Sequence, residues 1–128
     1  MRIAVDTNRY RDFCAGLPEA VEQFARAGKV FIPFVTLAEL RAGLLCGDLS
    51  RKNESVLVRF LDRPRVGILY PDEDTTHHYA RIFVQLRSQG TPIPTKDIWI
   101  AALVMQHDLL LYSRDRHFDF LPQLPLIR

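Results

Sequence analysis

The chain is short of the residues that mark several common protein classes. It has two cysteines in 128 residues, Cys14 and Cys46, and they form no CxxC pair. Two thiols without a secretory context read as free rather than bridged, so a disulfide scaffold is excluded. Its histidines lack the spacing of a zinc site. His77 and His78 are adjacent and point in different directions; with His107 and His117 they read as surface or packing residues. Long apolar runs are absent as well. The longest, Ile98 to Met105, falls well short of the roughly 20 residues a membrane-spanning helix needs. One Arg and three apolar residues precede Asp6, which does not read as a signal peptide, and the expectation is a cytoplasmic protein. No internal repeat, linker or low-complexity stretch is visible.

What is present describes an ordinary globular domain over residues 1–128. Hydrophobic content of 48% is enough for a core, and a charged fraction of 25% argues against disorder. The formal net charge is +2. If several acids gather around a cation, the remaining surface is more basic than that total. Fourteen of the seventeen basic residues are Arg, the side chain suited to bidentate phosphate contact, so a polyanionic partner is expected.

Apolar periodicity and Pro/Gly punctuation divide the chain. Strands are expected at Arg2 to Val5, at Lys29 to Ile32 closed by Pro33, at Val66 to Tyr70 and at Leu109 to Tyr112, with a fifth at the edge over Leu124 to Ile127. Helices are expected from Pro18 to Gly28, Val35 to Cys46 with Gly47 as the stop, and Ser50 to Leu61. The longest should run from Asp74 to Gln89, burying Tyr79, Ile82, Phe83 and Leu86. Gly90 to Pro94 reads as a loop. Lys96 to His107 is apolar nearly all round and belongs in the middle of the domain. Short apolar strands alternating with helices predict an α/β three-layer sandwich around a mainly parallel sheet of four or five strands. Ligands of such sheets gather beyond the carboxyl ends of the strands, where the strand order switches.

Four acids stand where apolar segments begin or end: Asp6, Glu39, Asp97 and Asp115. Burying a carboxylate is costly unless something compensates it, and a hard divalent cation is the natural partner of clustered oxygens. Each acid also has a plainer reading. Asp6 can cap a following helix. Glu39 completes a capping box with Thr36. Against that, it shares a face with Ala42, Gly43 and Cys46, small residues that would let its helix lie close and turn it inward. Asp97 can complement a helix dipole, yet Ile100, Ala101 and Val104 follow on its side. Asp115 lies in the charged run Ser113 to Asp119, where Asp119 competes for any role. Asp12, Asp48, Asp62, Asp72, Asp74 and Asp108 read as turn, cap or surface acids.

In order, Asp6-Thr7-Asn8, Pro33 to Leu40, Asp97 to Ala102 and Ser113 to Phe118 resemble the motifs of the PIN domain, most closely the VapC-type toxins of toxin–antitoxin pairs. The resemblance spans the whole chain. It implies an endoribonuclease in which Asp6, Glu39, Asp97 and Asp115 are catalytic and hold Mg²⁺ or Mn²⁺, supported by Asn8 and Ser113. Water attacking phosphorus would leave a 5′-phosphate and a 3′-hydroxyl. It further implies an RNA substrate, a VapB-like antitoxin, a homodimer and a larger toxin–antitoxin assembly, with no membrane involvement. Leu44, Leu45, Leu49, Val56, Leu57 and Phe60 are candidates for an antitoxin groove or for the core. Ser113 replaces the Thr of many relatives and keeps the hydroxyl. Lys96 stands where they carry a small or amide residue; with Arg114 and Arg116 it is a candidate for phosphate contact.

Three other readings stand beside the toxin: a PIN-type nuclease of RNA processing, an inactive PIN domain kept for binding, and a receiver-like domain. The last lacks an acidic pair after its first strand, and Tyr70-Pro71-Asp72 is a poor phosphoacceptor context. A haloacid-dehalogenase-type phosphatase would need Asp-x-Asp at Asp6-Thr7-Asn8.

Overall fold

The computed structural model describes residues 1–47 and 50–128. Asp48 and Leu49, read above as a surface acid and a groove residue, lie outside the described residues. Five strands form one parallel sheet: β1 (Arg2–Val5), β2 (Lys29–Pro33), β3 (Val66–Leu69), β4 (Leu110–Tyr112) and β5 (Leu126–Ile127), in the order β3-β2-β1-β4-β5. The chain builds outward from β1 through β2 to β3, then crosses back to add β4 and β5 on the other side. The switch of direction falls between β1 and β4, where Ile3 pairs with Leu110 and Val5 with Tyr112. A crevice opens there because the connections leave β1 and β4 in opposite directions.

Alternation along each strand feeds two cores. On one face Ile3, Val5, Val30, Ile32 and Tyr112 meet α1 (Thr7–Cys14), α2 (Pro18–Arg26), α3 (Phe34–Cys46) and α4 (Ser50–Leu61). This core is aromatic: Phe13 stacks on Phe24 at 4.2 Å between centroids, and Tyr10 meets Phe60 edge-on at 5.2 Å. On the other face Ala4 and Leu111 pack against α5 (Glu73–Gln89) and α6 (Thr95–Gln106). Ile98, Ile100 and the run Ala101 to Val104 are buried, as an all-round apolar helix requires. The layered parallel architecture is the expected one, with β5 at the edge.

Several details differ from the sequence reading. α1 is a complete helix of eight residues that was legible only as a cap for Asp6, because Tyr10 and Phe13 are its only core side chains. α2 ends at Arg26, two residues before Gly28, whose amide instead donates to the Met1 carbonyl at 2.8 Å. Phe83 is 44% exposed rather than buried, leaving Ile82 and Leu86 to anchor α5. Leu57 and Phe60 are buried in the aromatic core and belong to it first, with Leu57 also reaching the floor of a cleft beside Leu44 and Val56; Leu44, Leu45 and Val56 are exposed or half-buried on α3 and α4. Both cysteines are free and exposed. No helix is long and apolar enough to cross a membrane.

Candidate metal centre

Asp6 follows β1 directly and is the N-cap of α1; one carboxylate oxygen accepts from the Arg9 amide at 3.0 Å. The other accepts from the Ser113 hydroxyl, which arrives from the end of β4. Capping and site membership are therefore one arrangement, since a single buried carboxylate does both. Ser113 is fully buried, and its oxygen also accepts from the Asp115 amide at 3.0 Å. That pair of bonds ties the ends of β1 and β4 across the switch point.

Asp115 caps a 3-10 helix (Arg116–Phe120), accepting from the His117 amide at 2.9 Å. Asp97 comes from the first turn of α6 and is 3% exposed. His117 Nδ1 lies 2.8 Å from Asp97 and 3.2 Å from Asp115. Ligand atoms of Asp97, Asp115 and His117 all fall within 4.8 Å of one another. His117 is thus part of the cluster, not the packing residue the sequence suggested. Its position two residues after Asp115 was the available signal, but that spacing brings it to Asp97 only because the 3-10 turn folds back.

Glu39 reaches the same cavity from α3. Pro33 precedes that helix and no side chain caps it, so the capping box with Thr36 does not form; Thr36 Oγ1 donates to the Val5 carbonyl instead, at 3.4 Å. Thr7 Oγ1 donates to Glu39 at 3.1 Å, and Lys96 Nζ lies 2.9 Å from its other oxygen. Of the small residues on this face, Ala42 lines the cavity and Gly43 lies against Arg11, while Cys46 is exposed; the direct partners of the Glu39 carboxylate are Thr7 and Lys96.

The cavity so formed has a volume of about 300 Å³, and Asp6, Glu39, Asp97 and Asp115 all line it with Asn8 and Lys96. Four more residues, Thr7, Arg11, Ala42 and Ile100, complete its wall. Burial pushes the Asp6 carboxyl above its ordinary range, against the lowering effect of the bonds from Ser113 and the Arg9 amide. Burial raises Asp97 too, and the nearby Asp115 charge adds to it, while His117 opposes. Two buried carboxylates held at raised values beside a third acid need positive charge. Lys96 is committed to Glu39, whose charge in turn raises the lysine. A hard divalent cation would meet the requirement, and the cluster of Asp97, Asp115 and His117 could offer it ligand atoms.

The other nominated residues separate. Arg114 is bound by Asp12 at 3.1 Å and does not line the cavity, and Asp12 is held below the usual carboxylate range chiefly by that contact. Arg116 is exposed. Asp119 pairs with Arg128, away from the cavity, which leaves the role to Asp115. Beneath the site, buried Arg9 lies over the Tyr112 ring at 4.4 Å and pairs with Asp12 and Glu19. His77 is exposed and His78 faces Asp74, both outside the cluster.

Comparison with known proteins leads to the same place. A family model described as PIN domain matches residues 3–123. Among curated relatives, Ribonuclease VapC2 of Haemophilus influenzae (strain ATCC 51907 / DSM 11121 / KW20 / Rd) is 33% identical over 94 residues, covering 73% of this chain and 70% of the relative. Ribonuclease VapC1 of Haemophilus influenzae (strain R2866) is 29% identical over 101 residues, covering 77% and 72%. Among solved structures, VapBC-1 from nontypeable Haemophilus influenzae superposes with a TM-score of 0.87 at 24% identity, covering 99% of this chain and 97% of that one. VapBC-5 from Mycobacterium tuberculosis, a member of the VapBC family of toxin–antitoxin systems, gives 0.75 at 28% identity, covering 99% and 98%.

Proposed function

Because the chain belongs to the PIN domain family, we propose that it is a metal-dependent endoribonuclease that hydrolyses RNA phosphodiester bonds as the toxin of a toxin–antitoxin pair. The observation that carries this reading is the convergence of Asp6, Asp97 and Asp115, from three separate elements, on one cavity at the β1/β4 switch. Ribonuclease VapC relatives at up to 33% identity support the choice of RNA. The ion would be Mg²⁺ or Mn²⁺, and Asp6, Asp97, Asp115 and Glu39, which line one cavity, would hold it. When bound, such an ion neutralises phosphoryl oxygens and lowers the pKa of a coordinated water.

The chain's own groups set the geometry. Ser113 and the Arg9 amide fix both oxygens of Asp6, so the carboxylate keeps one orientation. His117 does the same for Asp97. Lys96 neutralises Glu39 and carries positive charge to the cavity rim, where a phosphate would pass. Asn8 offers an amide at the mouth. Ser113 is committed to two carboxylate-loop contacts and has no His partner, so it is not a nucleophile. Water attack on phosphorus leaves a 5′-phosphate and a 3′-hydroxyl.

The partner of a toxin is its antitoxin. Leu44, Leu45 and Val56, exposed or half-buried between α3 and α4, form an apolar groove suited to an antitoxin segment. We place the protein in the cytoplasm, as a homodimer within a larger toxin–antitoxin assembly. The functional test is cleavage of total cellular RNA by wild type, Asp6→Asn and Asp97→Asn with Mg²⁺, Mn²⁺ or EDTA. Discrete fragments are expected only from wild type with metal. Equal cleavage by the variants, or none by folded wild type, would refute the nuclease reading.

A further inference from the structure

Gly43 occupies a place where α3 gains nothing from glycine. It lies inside the last turn of α3 at an exposed position, four residues before the helix is closed by Gly47, and only proline is a poorer helix former. The space beside it explains its use. A Cβ at this position would lie 2.9 Å from Arg11 Nη2, so the guanidinium rests directly against the α3 backbone. From that seat Arg11 lines the acidic cavity beside Thr7, Asn8 and Glu39.

The cations near this cavity are not equivalent. Lys96 is engaged by Glu39 at 2.9 Å, and Arg114 by Asp12 at 3.1 Å. Arg11 has no ion-pair partner among the described residues. A phosphodiester entering a cavity walled by carboxylates meets repulsion on every side except where a cation stands. A guanidinium with its donors uncommitted is the group best suited to hold it there, because its planar fork matches two phosphate oxygens.

We propose that Arg11, seated on Gly43, binds a backbone phosphate of the RNA strand beside the scissile bond, an assignment that rests on the ribonuclease reading above. As a residue in the last turn of α1, Arg11 also complements the dipole of that helix. That role requires no glycine on α3, and the two substitutions below separate it from phosphate binding. A Cβ added at Gly43 meets only the flexible end of Arg11, so Gly43→Ala moves the guanidinium without removing its charge.

The test measures binding of a fluorescent, unstructured single-stranded RNA by anisotropy across a salt series. All proteins carry Asp97→Asn to keep the strand whole, and strand integrity is checked on a gel. Each phosphate neutralised on a single strand contributes about 0.7 to the slope of log K against log salt. Arg11→Gln is expected to weaken binding for every sequence and reduce the slope by about 0.7, with Arg11→Lys restoring most of it. Gly43→Ala should weaken binding while raising the melting temperature, a combination that general damage does not produce. An unchanged slope and affinity in Arg11→Gln overturns the assignment while leaving metal-dependent cleavage, measured separately, untouched. Failure of the parent to bind RNA overturns it too. A melting temperature lowered by Arg11→Gln with binding intact would assign the arginine to helix stability alone.

Discussion

Replacing Asp97 by Asn should make the protein deaf to divalent cations without weakening the metal-free fold. Asp97 is almost fully buried, and both burial and the Asp115 charge raise its carboxyl above the ordinary range. The sign follows from linkage. A carboxylate whose folded value is raised binds its proton more tightly when folded, so stability is greatest below the unfolded value and is lost as pH rises toward the folded one. At neutral pH the ionised site therefore detracts from metal-free stability, and an amide removes that burden. Cation binding reverses the deficit in wild type. At tenfold excess over Kd, one site adds about 1.4 kcal/mol through RT ln(1 + [M]/Kd). With about 2.1 cal/mol/K of unfolding entropy per residue over 128 residues, roughly 0.27 kcal/mol/K in all, the melting temperature should rise by about 5 °C. The assay is thermal unfolding followed by circular dichroism, titrating EDTA-stripped protein with MnCl₂ or MgCl₂ at constant ionic strength. Asp97→Asn should melt no lower than metal-free wild type at pH 7.5 and shift by less than about 1 °C on cation addition. An equal shift in both proteins, or none in wild type with either ion, would refute the metal centre.

Ser113→Ala removes a buried hydroxyl that donates to Asp6 and accepts from the Asp115 amide. It should cost about 1–3 kcal/mol by urea denaturation, and the pH of half-maximal Mn²⁺ binding should rise because Asp6 loses a bond that lowers its pKa; Ser113→Thr should restore both. Lys96→Met releases Glu39 and takes a cation from the cavity rim. Calorimetry should report tighter Mn²⁺ binding, with stability changed by less than about 1 kcal/mol because the pair is partly exposed. Leu57→Ala, at a core position 1% exposed, should cost about 2–5 kcal/mol. Leu45→Ala, at 86% exposure, should change stability by under about 0.5 kcal/mol yet weaken antitoxin binding in a pull-down.

Much of the fold could be read locally because each layer leaves a short-range pattern. Val30 and Ile32 alternate with Phe31, Pro18 starts α2 in its first turn, and the apolar run after Asp97 can only be a buried helix. α1 was harder, since eight residues with two core side chains scarcely rise above a turn. Phe83 was misplaced because it shares a helical face with Tyr79, which meets Trp99 at 4.4 Å, while Phe83 stacks on Tyr79 at 6.3 Å and stays 44% exposed.

The site divides along the same line. Asp6, Glu39, Asp97 and Asp115 were legible as acids at the margins of apolar segments, and residue chemistry with spacing was enough to nominate them. Their partners were not. Whether Glu39 bonded back to its own helix or across to Thr7 depended on where α3 began and on what β1 brought beside it. His117 entered the cluster through a 3-10 turn, Arg114 was withdrawn by Asp12 from another helix, and Arg11 gained its place from a missing Cβ on α3. The sequence by itself determined the layered α/β architecture and which carboxylates had to be compensated, because hydrophobic period and burial cost act along the chain. Only the tertiary structure decided which cations and hydrogen bonds meet them, because those contacts join residues up to 107 positions apart and depend on how strands and helices are set against one another.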